Sequence, residues 1–392
     1  MKTATRCVRP ESNGDPFGAI SPPIYQTATF RQESVDEFGE YDYTRSGNPT
    51  RSLVERQIAD LEGGKHASAF ASGMAAIAAL TRLVSTGEEI LCGSDLYGGT
   101  IRLLDQVVQR FGIGVKYVDT SDLDSVKNAI TPQTKLLLLE SPTNPLLRIS
   151  DIEAIASLTR DSDVLFAVDN SMLSPCLQRP LALGADLVVH SATKFLCGHS
   201  DVTGGAVVTN DPQLHAQIAF HQNAEGAGLA PFESWLLHRG IKTLDLRVER
   251  QNNSALTIAK FLTGQRIVKN VYYPGLATHP GFEIHARQAT GGGAVISFTT
   301  GDPSISKRIV ESCTLFDIAV SFGSVGSVIS MPCTMSHASV PAALREKLAP
   351  PSDLIRISVG IEAVEDLIAN LENALENTEP LSAVAASASS RI

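Results

Sequence analysis

Lys194 closes the run Ala185-Asp186-Leu187-Val188-Val189-His190-Ser191-Ala192-Thr193-Lys194, in which an apolar strand-like segment ends in two hydroxyls and an amine. A second apolar segment, Ala167-Val168-Asp169-Asn170, ends in a carboxylate. A lysine flanked by hydroxyls at a strand end suits a Schiff base to pyridoxal phosphate. The amine attacks the aldehyde, Ser191 and Thr193 hold the phosphate, and Asp169 keeps the pyridine nitrogen protonated. Buried without a partner Asp169 would be costly, so a cation is expected beside it.

Other residues point the same way, each with an ordinary alternative. Ser72-Gly73-Met74 follows an apolar run and opens a helical stretch. Free amides at such a helix start bind phosphate, and Gly73 lets the phosphate approach; taken alone the segment reads as a plain strand-to-helix turn, and its value comes from agreement with Ser191 and Thr193. Tyr97, in Tyr97-Gly98-Gly99-Thr100, can stack on a planar cofactor or fill a turn. Tyr43 and Arg45 sit in a polar loop, where they can bind phosphate or face water. Arg356, in Leu354-Ile355-Arg356-Ile357-Ser358, can clamp an amino-acid carboxylate or point to solvent.

The elements that must position these residues follow from the hydrophobic pattern. Strands are expected at 66–71, 89–93, 114–118, 135–140, 164–169, 186–190 and 205–209, and helices at 73–85, 99–111, 122–130 and 150–160. This alternation predicts an α/β fold with a mostly parallel sheet flanked by helices. Residues 232–263 read as one or two long helices, 291–299 as opening a strand, and 304–315 and 362–376 as helical. The expected division is an extended N-terminal arm over 1–45, a large domain over 46–240 and a smaller α+β domain over 241–380. The Ala/Ser-rich tail, 381–392, is expected to be disordered.

Composition excludes several classes. The 392 residues are 43% hydrophobic and 19% charged, which suits a globular enzyme with a large core. A net charge of −10 with no basic block argues against nucleic acid or an anionic membrane. No apolar run approaches the roughly 20 residues of a spanning helix. The six cysteines form no Cys-x-x-Cys pair, read as small buried side chains, and fit a reducing compartment. There is no Gly-x-x-x-x-Gly-Lys loop and no His-Glu-x-x-His helix, so no metal is expected. The N-terminus lacks an apolar secretory segment.

Taken together these segments resemble the Cys/Met-metabolism enzymes that use pyridoxal phosphate, a family that includes cystathionine γ-synthase, cystathionine β- and γ-lyases and methionine γ-lyase. The likeness covers about 20–378. It rests on Tyr43 to Arg51, Ala71 to Ala75, Tyr97 to Thr100, Glu140 to Pro145, Val168 to Asn170, His190 to Asp201, Tyr273 to Pro280 and Arg356 to Ile361. Tyr25 to Phe30, Gly226 to Trp235 and Ser321 to Pro341 resemble the plant-type cystathionine β-lyase branch.

The resemblance implies fold type I, like aspartate aminotransferase, and a homotetramer built from dimers. It implies that Lys194 holds the cofactor, Asp169 pairs with its ring nitrogen and Tyr97 stacks on it. The Gly73 and Met74 amides, Ser191 and Thr193 would bind phosphate, with Tyr43 and Arg45 reaching in from the neighbouring subunit. Arg356, with Ser321 and Asn144, would bind the substrate carboxylate.

The implied reaction is β-elimination of L-cystathionine to homocysteine, pyruvate and ammonia, with Lys194 and Tyr97 moving the protons. Two departures bear on this. Gly326 stands where many γ-acting members have glutamate and plant-like β-lyases lysine, which would widen the entrance. Gly99 stands where methionine γ-lyases have cysteine. A γ-lyase, or a γ-replacement on an O-acyl-homoserine, therefore stays open beside the β-lyase. The implied location is the cytoplasm, or the plastid for a chain whose transit peptide has been removed.

Overall fold

The structure is a computed structural model; it describes residues 1–10, 15, 17–335 and 349–377. The expected tail, 381–392, and the 336–341 end of the Ser321 to Pro341 segment lie outside the described residues. The strands, in chain order, are β1 (His66–Phe70), β2 (Glu89–Gly93), β3 (Gly114–Val118), β4 (Thr134–Glu140), β5 (Leu165–Asp169), β6 (Leu187–His190), β7 (Gly205–Thr209), β8 (Asn270–Tyr272), β9 (Val295–Thr299), β10 (Asp317–Ile318), β11 (Val328–Ser330) and β12 (Leu354–Ser358). The first seven form one sheet in the order β1-β7-β6-β5-β4-β2-β3. Its strands are parallel except β7, which runs antiparallel to both neighbours. The other five form a separate sheet, β10-β11-β12-β9-β8.

The continuous apolar runs of the first sheet exist because both its faces are covered. Leu136 and Leu138 of β4 pack into one cluster with Ile90, Ala167 and Val189. Leu137 and Leu139 point the other way, into a cluster with Leu91, Phe166 and Val168. Alternation along a strand thus feeds two cores, as in parallel sheets generally. It also fixes which side chains share a face at the strand ends: Glu140 pairs with Asp169, and Asp169 with Val189.

Helix starts follow capping chemistry. Asn48 accepts from the Thr50 N–H ahead of the helix Pro49–Glu62, and Ser72 accepts from Ala75 ahead of Gly73–Thr81. The stretch 232–263 forms two helices, Pro231–Ile241 and Leu244–Thr263.

Some expectations differ from the structure. The arm begins with a helix, Thr3–Val8, rather than extended chain. It is held to its own chain: Gln57 donates to the Cys7 carbonyl at 2.8 Å, and Arg6 pairs with Asp60 at 3.1 Å. Its six residues are too short for periodicity to register. The helix Pro212–Ala224 was not anticipated, because it buries only Ile218 and Gln222 and so carries no apolar stripe. The expected helix 99–111 is Gly98–Gln106 followed by a 3-10 turn, Val108–Phe111. Cys176 and Cys333 are only half-buried; the other four cysteines are buried.

Candidate active site

The C-terminal ends of β4, β5 and β6 open into a cavity of about 480 Å³. Parallel sheets place ligands at this edge. Ser72, Gly73 and Met74 come in on the turn after β1, Tyr97 on the turn after β2, and Asn144 on the loop after β4. Asp169 ends β5, and Ser191, Thr193 and Lys194 follow β6. The second sheet closes the cavity with Arg356 of β12, and the loop between β10 and β11 brings Val320, Ser321 and Phe322.

Lys194 donates to Ser321 Oγ at 2.6 Å, and its ammonium lies 4.9 Å from the Phe322 ring. Burial, with the Arg356 charge next in weight, pulls its pKa down from the ordinary lysine value to about 8. The neutral, nucleophilic amine is therefore accessible near neutral pH. Withdrawal from bulk water raises the Asp169 carboxyl, while hydrogen bonds from Ser171 lower it. The Ser171 N–H donates to Asp169 at 2.9 Å, and its hydroxyl accepts from the Ser191 N–H at 2.6 Å. One residue, which sequence reading passed over, thus ties the β5 end to the β6 end.

Around the helix start at Gly73 the packing leaves no room for a side chain. A Cβ on Gly73 would lie 2.8 Å from the Ser191 Cβ, and one on Gly205 2.2 Å from the Ser72 carbonyl oxygen. This brings the helix amides and the two hydroxyls together as a cradle of donors for an anion. Thr193 is fixed by its own loop: its hydroxyl accepts from the Gly204 N–H at 2.9 Å.

Arg356 is 2% exposed, although it sits in mid-strand. It donates to Asn144 Oδ1 at 2.7 Å and to the Ser321 carbonyl at 2.8 Å, while its Nε has no hydrogen-bond partner among the described residues. Burial lowers its pKa to about 10. Ser321 takes a positive φ of 84°, rare for a residue with a side chain, and so turns its carbonyl to Arg356 and its hydroxyl to Lys194.

Three expected residues lie elsewhere. Tyr43 and Arg45 line a different hollow with Thr27, Arg51 and Leu229. There Arg45 donates to Asn223 at 2.8 Å and lies 5.5 Å over the Tyr43 ring. Gly326 stands outside the Lys194 cavity, and a Cβ there would meet nothing within 4 Å. Its neighbours are fixed by hydrogen bonds, the Val325 N–H donating to the Gly198 carbonyl and the Ser327 N–H to Glu362. Conversely Glu140, Arg102 and Phe322 line the cavity without having been assigned roles. Glu140 carries the same sequence signal as Asp169, a carboxylate ending an apolar strand.

The residues present fit pyridoxal phosphate. An amine of lowered pKa, a carboxylate one strand away, a tight donor cradle and an arginine with a spare donor surround one cavity of suitable size. Fold and site together define a pyridoxal-phosphate enzyme of fold type I.

Comparison with known proteins narrows the class. The profile of the Cys/Met metabolism PLP-dependent enzymes matches residues 4–376. The chloroplastic cystathionine β-lyase of Arabidopsis thaliana is 54% identical over 378 residues, 96% of this chain and 81% of that protein. The cystathionine β-lyase of Lactococcus lactis is 49% identical over 359 residues, 92% of this chain and 94% of that one. The solved cystathionine γ-lyase of Lactobacillus plantarum, complexed with L-serine, superposes with a TM-score of 0.93 at 46% identity, covering 96% of this chain and 99% of that one. The chain belongs to the Cys/Met metabolism PLP-dependent enzyme family, and its cofactor is pyridoxal 5′-phosphate.

Proposed function

We propose that this protein is a carbon–sulfur lyase of the cystathionine β-lyase type, cleaving L-cystathionine to homocysteine, pyruvate and ammonia. The observation that carries the reading is the meeting of Lys194, Asp169 and Arg356 at one cavity. The named β-lyases at about half identity support it.

In this reading Lys194 would hold the cofactor, with Asp169 as the carboxylate that would keep its ring nitrogen protonated and Tyr97 as the aromatic that would pack against it. The Gly73 and Met74 amides with Ser191 and Thr193 take the phosphate. When bound, pyridoxal phosphate supplies an electron sink for the charge left at the substrate Cα. Arg356, oriented by Asn144 and Ser321, takes the substrate carboxylate with its free Nε–H and so sets which Cα bond faces Lys194. The Lys194 amine, held by Ser321, is the base for the Cα proton. Lys194 or Tyr97 returns a proton to the departing sulfur.

Tyr43 and Arg45, which line another hollow in their own chain, act in the neighbouring subunit of a homotetramer. Residues 46–240 and 241–380 are the large and small domains, in keeping with the two sheets. The cytoplasm or plastid interior is the proposed location; six free cysteines suit either.

The test is product identification by mass spectrometry after mixing cofactor-loaded protein with L-cystathionine. Pyruvate with homocysteine is expected. Cysteine with 2-oxobutyrate would make the enzyme a γ-lyase, a reading favoured by the fold likeness to the Lactobacillus plantarum protein.

A further inference from the structure

Glu140 is a buried acid at the centre of the site to which the reaction above gives no task. It is the last residue of β4 and pairs in register with Asp169, the last of β5. On adjacent parallel strands the two side chains stand side by side on one face. Glu140 is 5% exposed and lines the cavity.

What surrounds it is unlike the setting of an ionised carboxylate. A buried carboxylate normally collects two or three donors or an arginine fork. Among the described residues the Glu140 carboxyl receives one long hydrogen bond, from the Tyr97 N–H at 3.3 Å. Arg356, in the wall of the same cavity, turns its two terminal nitrogens to Asn144 and Ser321 instead and leaves its Nε unpartnered.

We propose that Glu140 works as an un-ionised acid: a positioning residue that seats Tyr97 through its backbone N–H and, by carrying no charge, leaves Arg356 to the substrate carboxylate. The second half rests on the substrate role given to Arg356 above.

The charges facing Glu140 agree. Burial raises its pKa well above the ordinary value, and the carboxylates of Asp169 on β5 and Asp95 after β2 raise it further; the Tyr97 N–H and Arg356 on β12 oppose. Lys194, after β6, and Arg102, on the helix Gly98–Gln106, are further cations of the same cavity. An ionised Glu140 would add a third negative charge beside Asp169 and Asp95 and compete for Arg356.

The test is infrared difference spectroscopy of the cofactor-loaded protein at neutral pH, wild type against Glu140→Gln. A protonated carboxylic-acid carbonyl band present in wild type and lost in the variant is expected. Absence of that band overturns the proposal. Should the variant not fold, the band is sought in wild type by its disappearance on alkaline titration, and its absence there is equally decisive.

Kinetics give the second readout. Glu140→Gln keeps the neutral shape, so KM for L-cystathionine at neutral pH should stay within about twofold, since no charge-assisted bond is lost. In wild type KM should begin to climb at lower pH than in the variant, because Glu140 ionises and draws Arg356; in the variant only loss of the Arg356 charge itself, at about 10, remains to raise it. A rise in KM of about tenfold or more in Glu140→Gln at neutral pH would show a working carboxylate and overturn the proposal. The infrared band needs no turnover, so a protein inactive on L-cystathionine would sink the lyase reading and leave this test standing.

Discussion

The two sheets contribute to one cavity in opposite ways. The seven-stranded sheet supplies Asp169, Ser191, Thr193 and Lys194 from strand ends, where the chain leaves the sheet and side chains are free to converge. The five-stranded sheet supplies one strand residue, Arg356, from the middle of a fully buried strand, with Ser321 and Phe322 from its β10–β11 loop. The first arrangement is local: Ser191 and Lys194 are joined by a backbone hydrogen bond within one turn. The second is long-range: Arg356 is held by Asn144 and by Ser321, 212 and 35 residues away. In the proposed reading the cofactor groups all come from strand ends and turns of one sheet, whereas the carboxylate clamp requires the second sheet to meet it.

Four changes would break or sharpen that comparison. Lys194→Ala removes the centre of the strand-end group. Turnover should fall about 10⁴-fold or more, because both nucleophile and base are lost, and the visible absorption of bound cofactor should vanish. A variant that keeps both would remove Lys194 from the site. Arg356→Lys tests the strand residue of the other sheet. Lysine cannot reproduce the fork to Asn144 and Ser321, so KM should rise roughly 10- to 100-fold, for about 1.5–3 kcal/mol of charge-assisted bonding. An unchanged KM would leave the second sheet without a role in substrate binding.

Asp169→Asn keeps the shape and can still accept from Ser171, so only charge is lost. A fall in kcat of about tenfold is expected with little change in KM; a change confined to KM would move Asp169 from the cofactor to the substrate. Arg45→Ala is the smallest. If the neighbouring subunit's site uses Arg45, cofactor retention should weaken by up to about tenfold. If Arg45 serves only its own Asn223, cofactor titration will match wild type.

A pH series joins the two sheets directly. In cofactor-free protein the rate of cofactor loading should rise with pH through about 8 and level off above it, since only the neutral Lys194 amine attacks. The Arg356 charge is one cause of that lowered value, so Arg356→Gln should shift the midpoint upward. A midpoint that does not move would show that the Arg356 charge plays no part in setting it.

Much of the frame was legible because its signals are local. The positions of β1 to β7 follow from short apolar runs, and Asp169 and Lys194 stand out as polar residues ending them. The short helix Thr3–Val8 and the stripe-free helix Pro212–Ala224 escaped because periodicity needs length and a buried face to be read. Glu140 had the same signal as Asp169, but no spacing could show that they stand side by side.

The sequence alone determined the chemistry of the strand ends: an amine, hydroxyls and a carboxylate in the segments that an α/β sheet brings to one edge. Only the tertiary structure decided which arginine enters the cavity, that Gly326 and Arg45 stay outside it in their own chain, and that Ser171 and Ser321 fasten its walls. The reason is physical. Strand ends inherit their place from local pattern, whereas burial, charge environment and hydrogen-bond partners depend on residues hundreds of positions apart whose meeting only packing can arrange.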